Sequence, residues 1–259
     1  MSARIHPTAV VDPAARIGDG VTIGPYAIVG PGVAIGAGTE IGPHVVLDGE
    51  TTIGERCRFV GQSSIGTPPQ DLKYAGGATR LVIGDDNIVR EFVTMNRATE
   101  HGGGVTRVGS HGMFMAYAHV AHDCTVGDHV VMANAATLAG HVTLEDHAIV
   151  GGLVAIHQFV RIGESAILGG GAMVTQDITP FCMAAGDRAV LHGLNLIGLK
   201  RRGFSAATVA ALRSAYRTVF RSGQRLQDAL EALRAEASDE PAVARFVRFI
   251  EQSQRGICR

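Results

Sequence analysis

Four histidines crowd into one short stretch, HVAHDC…AGH…IHQF: His119, His122, His141 and His157. A neutral imidazole titrates near pH 7, so it can take a proton from a hydroxyl group as a general base. Asp123 and Gln158 lie among them, and glycines such as Gly140, Gly152 and Gly170 recur through the same region. A backbone N–H at glycine can come close to an oxyanion and stabilise it. A lone histidine in such a chain needs no function, but four gathered with an aspartate and an amide point to a site.

The elements that must hold these residues are set by a repeat of six. Stepping by six from Ile5 to Ile65, from Ile83 to Met95 and from Val108 to Val174 gives 26 hexads, each led by a large apolar residue. That period is neither helical nor a simple strand alternation. It suits a short strand followed by a tight turn, with the leading side chain inward and stacked coils satisfying each other's backbone groups. The second position is glycine in 13 of the 26 hexads, as at Gly18, Gly24, Gly127 and Gly163, where it is expected to supply a turn conformation that a Cβ would penalise. The fifth position is usually small or β-branched, as in Val21, Ala118 and Ala136.

This pattern resembles the hexapeptide-repeat acyltransferases. The resemblance implies a mainly β fold, a left-handed parallel β-helix with three hexads per coil. Residues three hexads apart would then stack. His122, Gly140 and Gln158 would form one column and Asn134, Gly152 and Gly170 another, a strip of imidazole and amide beside a strip of glycine. A column without side chains makes a groove suited to an acyl chain.

Two segments break the phase, 66–82 (GTPPQDLKYAGGATRLV) and 101–107 (HGGGVTR). Insertions into a solenoid become loops on its faces, and the first is long enough to expect a function. The chain changes character after about residue 185. The division expected is a hexapeptide-repeat β-helix over 1–186 and a C-terminal α-helical domain over 187–259. Helices are expected over 205–222, with Ser205 as cap and Gly223 beyond the end, over 226–237, and from Pro241 to Ser253. From residue 200 onward the chain carries +6, and the remainder −7. A basic helical tail suits an acidic partner as well as it suits a solvated helix face.

The segments HVAHDCTVG, TLAGHVTL, AIVGG, HQF, QDLKYAG and LKRRGFS resemble the bacterial UDP-N-acetylglucosamine O-acyltransferases of lipid A synthesis, over nearly the whole chain. That resemblance implies a role for each matching residue. His122 would be the general base for the sugar 3-hydroxyl, Asp123 its partner, and the Gly140 N–H the oxyanion donor. The hydroxyl would attack the thioester of a (R)-3-hydroxyacyl-acyl carrier protein with no acyl-enzyme. Asp71 and Lys73 would contact the glucosamine and phosphate region. His119, His141, His157 and Gln158 would line the sugar and acyl pockets. Asn195, Arg201 and Arg202 would hold the uridine and phosphates, a role that suits a guanidinium. Gly152 and Gly170 would leave the acyl groove open, with Gly170 at the position that measures chain length. The family further implies a homotrimer with shared sites, an acidic carrier protein and UDP-N-acetylglucosamine as partners, a cytoplasmic location, and no cofactor or metal.

Two departures bear on the acceptor. Ile197 stands where the family often has Glu, and Met95-Asn96-Arg97-Ala98 replaces the more usual Ile-His-Arg-Gly. Transfer to a 3-amino analogue of the sugar nucleotide is therefore a second reading. A third is a metal hydratase of the γ-carbonic-anhydrase type, with His119, His122 and His141 as candidate ligands converging across a subunit interface. A fourth is a non-catalytic scaffold.

Composition narrows the classes further. Of 259 residues, 46% are hydrophobic, which excludes a disordered chain, and there is no Trp, so the core rests on aliphatic residues. The net charge of −1 offers no field for nucleic acid. Cys57, Cys124, Cys182 and Cys258 show neither Cys-x-x-Cys nor zinc-finger spacing, which fits a reducing compartment. The start of the chain lacks the apolar region of a signal peptide, and no apolar run is long enough to span a membrane.

Overall fold

The structure, a computed structural model, describes residues 2–236 and 240–259. Among these, short strands form three sheets of 11, 9 and 8 strands. Neighbours within a sheet are third neighbours in sequence: Met113–Phe114 pairs in parallel with Val131–Met132, which pairs with Ile149–Val150. Phe114, Met132 and Val150 are thus successive partners, and one coil takes three hexads. The ladder bonds are ordinary, as from Met113 N–H to Val130 O at 2.9 Å. The two phase breaks are loops between coils in register. Ile53 pairs with Ile83 across the first and Val89 with Phe114 across the second, so the added residues leave the stacking intact.

The leading residues fill the prism. From Ile23 onward they are almost all fully buried, Phe59, Met95, Phe114, Leu138 and Ile162 among them. In the first described coil Ile5 is 47% exposed.

The glycines act differently from expectation. The second-position glycines, apart from Gly66, do not adopt a positive φ. Their Cβ would instead strike the next coil: at Gly42 it would lie 2.1 Å from Val60 O, and at Gly163 it would lie 2.4 Å from Pro180 N. Close stacking of coils therefore selects glycine there. The left-handed conformation falls two residues later, at the fourth position, and is carried mostly by side-chain-bearing residues: Tyr26, His44, Asp123, His141 and Phe159 have φ from 56° to 65°. Each costs about 1–2 kcal/mol. Stacked coils impose it by closing a bond at each corner, as from His141 N–H to His122 O at 3.1 Å. Corner side chains stack in turn, as in the ladder His111–His129–His147 with centroids 4.8 and 4.6 Å apart.

The other end is closed by the tail. Strand Cys182–Ala185 pairs in parallel with Ile167–Leu168 and antiparallel with Val190–Leu194, so residues 186 and 187 fall in the turn of a hairpin. Four helices follow: α1 (Leu196–Arg201), α2 (Ala206–Phe220), α3 (Leu226–Glu236) and α4 (Pro241–Glu251). The short α1 was not expected. Ser205 caps α2 by accepting from Thr208 N–H, as its position predicts. The expected end of α3 at residue 237 lies outside the described residues. Phe181, Leu199, Leu212, Phe246 and Ile250 bury together over the last coil. Buried Asp177 ties down the chain end, accepting from Arg161 N–H at 2.8 Å and from the Ser253 hydroxyl at 2.7 Å. No helix among the described residues is long and apolar enough to cross a membrane.

Candidate active site

His122 and Asp123 occupy a corner between strand His119–Val120 of the nine-stranded sheet and Thr125–Val126 of the eight-stranded sheet. The left-handed turn at Asp123 (φ 60°) folds its carboxylate back beside the imidazole. Asp123 Oδ2 lies 2.8 Å from His122 Nδ1. With Nδ1–H donating to this carboxylate, Nε2 is left as the free proton acceptor. The Asp123 side chain has no exposure and that of His122 has 12%.

His141, one coil above Asp123, stands edge-on to His122 at 5.3 Å and stacks on Phe159 at 4.4 Å. Burial pushes its imidazole below the ordinary range, the nearby Asp123 pulling the other way. His119 is likewise held low by burial, and then by His122, while its Nδ1 lies 2.7 Å from Thr94 Oγ1. Within one chain, His119 does not belong to the group of ligand atoms that lie close together. The close group is His122, Asp123 and His141.

Both loops reach this corner. Asp71 accepts from Lys73 N–H at 2.8 Å and pairs with His101 Nε2 at 3.4 Å. The bond from Lys73 N–H is the main cause that lowers its carboxyl, with His122 and His101 adding to it. The loops clasp each other where Glu100 accepts from Gly77 N–H at 2.5 Å. Arg97 anchors the long loop by donating to Gly66 O at 2.9 Å and to the Tyr74 hydroxyl at 3.2 Å. Lys73 is exposed at the loop's outer side. Sequence reasoning missed His101, Thr99 and Thr94. The only available signal was their place at the edge of a phase break or under a site histidine.

Gly140 is required by shape. A Cβ there would sit 2.5 Å from His122 Cε1 and 2.7 Å from Nε2, so the imidazole rests on bare backbone. The third position of a regular hexad lacks a backbone acceptor for its N–H; Arg97, which donates to Thr67 O at 3.1 Å beside the long loop, is an exception. Proline tolerates the position, at Pro7, Pro25 and Pro43, or a side chain supplies the acceptor, as Asp146 does for Asp128 N–H at 2.8 Å. Gly140 is buried, and among the described residues its N–H has no partner. An orphaned buried donor beside a base is well placed to meet developing negative charge.

The remaining predicted residues divide among the corners. Gln158 and His157 are exposed one coil above Gly140, with His157 Nδ1 3.2 Å from Gln158 O. Gly152 and Gly170 lie above Asn134 on a different corner, between the 11- and nine-stranded sheets. The two columns are therefore not adjacent strips; one face of the prism separates them. Asn195, Arg201 and Arg202 belong to the third corner, between the eight- and 11-stranded sheets. Asn195 caps α1, accepting from Gly198 N–H at 3.0 Å, and donates to Ser165 O at 2.9 Å. Arg202 is held by Glu164 at 2.7 Å and by the Ser165 hydroxyl, and Glu164 also takes Arg245 at 2.8 Å. Among the described residues Arg201 has no such partner. It lines a cavity of about 630 Å³ with Val131, Ile149, Ile167 and Leu196.

The chain is similar to known proteins along nearly its whole length. Residues 177–258 match the family model "UDP N-acetylglucosamine O-acyltransferase, domain 2", and residues 14–49 match the bacterial transferase hexapeptide. The chain is 54% identical over 257 residues to the acyl-[acyl-carrier-protein]–UDP-N-acetylglucosamine O-acyltransferase of Myxococcus xanthus, covering 99% of this chain and 100% of the relative. The solved structure of the UDP-N-acetylglucosamine O-acyltransferase of Moraxella catarrhalis superposes with a TM-score of 0.96 at 43% identity, covering 98% of this chain and 99% of that one. The UDP-N-acetylglucosamine acyltransferase of Arabidopsis gives 0.86 at 36% identity, covering 98% and 100%.

Proposed function

The chain belongs to the UDP-N-acetylglucosamine O-acyltransferases, and from that premise we propose that it moves a (R)-3-hydroxyacyl chain from acyl carrier protein to the 3-hydroxyl of UDP-N-acetylglucosamine, the first step of lipid A synthesis. The observation that carries the mechanism is the buried His122–Asp123 pair seated on the unpartnered N–H of Gly140. His122 Nε2 takes the sugar hydroxyl proton as the oxygen bonds to the thioester carbon. Gly140 N–H receives the oxyanion. Collapse breaks the C–S bond, and the imidazolium returns its proton to the departing thiolate. Direct transfer fits the surroundings, since the thiol beside this pair, Cys124, is fully buried and pushed up to about 12.

Asp71, Lys73, His119, His141, His157 and Gln158 are assigned to the sugar and acyl pockets, and Arg201 with Asn195 and Arg202 to the nucleotide. These two sets stand on different corners of one chain, which supports a site completed by a second copy. A homotrimer in which one copy's His122 faces its neighbour's Arg201 satisfies both. The outward side chains of the 11-stranded sheet, from Ile88 through Met113, Val131, Ile149 and Ile167 to Met183, give that assembly an apolar face.

Gly170 would measure the acyl chain, with twelve to fourteen carbons as the expected length; each buried methylene is worth about 0.8 kcal/mol. The acidic carrier would dock on Arg213, Arg217 and Arg221, which are exposed at four-residue spacing along α2 and at its end. A cytoplasmic location agrees with four unpaired, buried cysteines. The division into 1–186 and 187–259 is proposed with these roles.

The test is a product assay with UDP-N-acetylglucosamine and a panel of 3-hydroxyacyl carrier proteins, run beside His122→Ala. Acylated sugar nucleotide from the parent and its loss in the variant are expected. The 3-amino sugar nucleotide forms a second arm, because Asn96 Oδ1 is buried without a partner beside the long loop. Product only in that arm would overturn the O-acyl assignment.

A further inference from the structure

The short loop after Ala98 does more than interrupt the coils. Thr99, at its start, is fully buried. Its hydroxyl donates to Asp123 Oδ2 at 2.7 Å, the same oxygen that faces His122 Nδ1 at 2.8 Å. Its backbone N–H points at both carboxylate oxygens, 3.2 Å from Oδ2 and 3.3 Å from Oδ1. Gly102 presses on the carboxylate, since a Cβ there would lie 2.2 Å from Asp123 Cγ. From the other side, Asp123 N–H donates to Thr106 Oγ1 at 2.8 Å. The carboxylate is thus enclosed by residues 99–106, and the Thr99 hydroxyl, the Thr99 N–H and the His122 Nδ1–H all point at Oδ2.

Resting on His122 as the base, we propose that Thr99 is a positioning residue that sets both the aim and the basicity of that imidazole through Asp123. The physical reason is charge sharing. A hydroxyl bonded to Oδ2 draws negative charge from the oxygen that stabilises the imidazolium, and so lowers the affinity of His122 for a proton. The same bond fixes the carboxylate plane, and with it the direction of Nε2. The other titratable groups around His122 are Asp71, His101, His119 and His141; His141 Nε2 faces the same Asp123 oxygen at 3.8 Å, beyond hydrogen-bond reach, so only Thr99 and His122 bond the carboxylate through their side chains.

The test compares Thr99→Val and Thr99→Ser with the parent enzyme and His122→Ala, reading kcat, KM and the acid limb of kcat/KM. Thr99→Val keeps the shape and N–H but loses the hydroxyl. It should lower kcat by about 10- to 100-fold and move the acid limb up by about half a unit to one unit, with KM for the sugar nucleotide little changed. Thr99→Ser should restore both rate and limb. A merely structural role would lower the amount of folded enzyme without moving the limb. Where valine does not fold, the smaller Thr99→Ala gives the same readout. A folded hydroxyl-free variant with the parent's limb overturns the inference while leaving His122 as the base. A parent whose activity survives His122→Ala overturns the base assignment and this inference with it.

Discussion

Residues at the site divide into those with a free polar atom and those whose polar atoms are already used. Arg201 and Arg202 are neighbours in sequence, yet only Arg202 is held by Glu164 and Ser165. Arg201→Ala should therefore raise KM for the sugar nucleotide about tenfold or more at unchanged thermal stability. Arg202→Ala should lower Tm by a few degrees, because Glu164 would keep only Arg245. Gly140→Ala puts a methyl group where the His122 ring lies. The expected loss in kcat is about 100-fold or more, with circular dichroism unchanged. Burial holds His119 and His141 below the ordinary imidazole range. An unfolded chain takes up these protons near pH 6.5. Their contribution to stability is therefore complete above that pH and lost as pH falls below it. Tm should drop between pH 7.5 and 5.5, and His119→Gln should flatten the drop.

At the scale of the coil, two backbone demands are met at two positions. The second position must admit the next coil, and the fourth must turn left-handed. Gly42→Ala places a methyl 2.1 Å from Val60 O and should destabilise by about 1–3 kcal/mol in a denaturant titration. Ala135, a left-handed corner with φ 57°, should behave differently. Ala135→Gly removes about 1 kcal/mol of strain and adds a similar loss of chain entropy, so the same titration should move by less than about 1 kcal/mol. The loops follow another logic. They are too irregular for a period to describe, but they carry Asp71, His101 and Thr99 to the base, where a regular coil offers only corner and face positions.

For the whole molecule, the decisive fact is that His122 and Arg201 stand on different corners of one prism. If neighbouring copies share each site, His122→Ala and Arg201→Ala lesions lie in different subunits of that site. Mixed trimers from co-expression should recover about a quarter of parent sites, measured as product at low sugar-nucleotide concentration. Activity no greater than the sum of the separate variants would show that each chain carries its own complete site. The tail closes the C-terminal end of the prism, and there the Glu164–Arg202–Arg245 cluster links the coils to α1 and α4, at the end that carries Asn195 and Arg201.

The sequence by itself determined the repeat, its inward residues and three of the helices, and it singled out His122, Asp123 and Gly140 as candidates. These are legible because stacking translates each requirement into a fixed spacing, so Phe114, Met132 and Val150 announce their pairing by number alone. The tertiary structure decided what spacing cannot express. Which corner a column occupies depends on how coils wind into three faces, so the glycine column of Gly152 and Gly170 proved to be a face away from His122. Why the second position is glycine depended on the neighbouring coil rather than on its own φ. Thr99 and His101 showed only their place at the edge of a phase break and not their partners, because an aperiodic loop finds its partners through space and leaves no period in the chain.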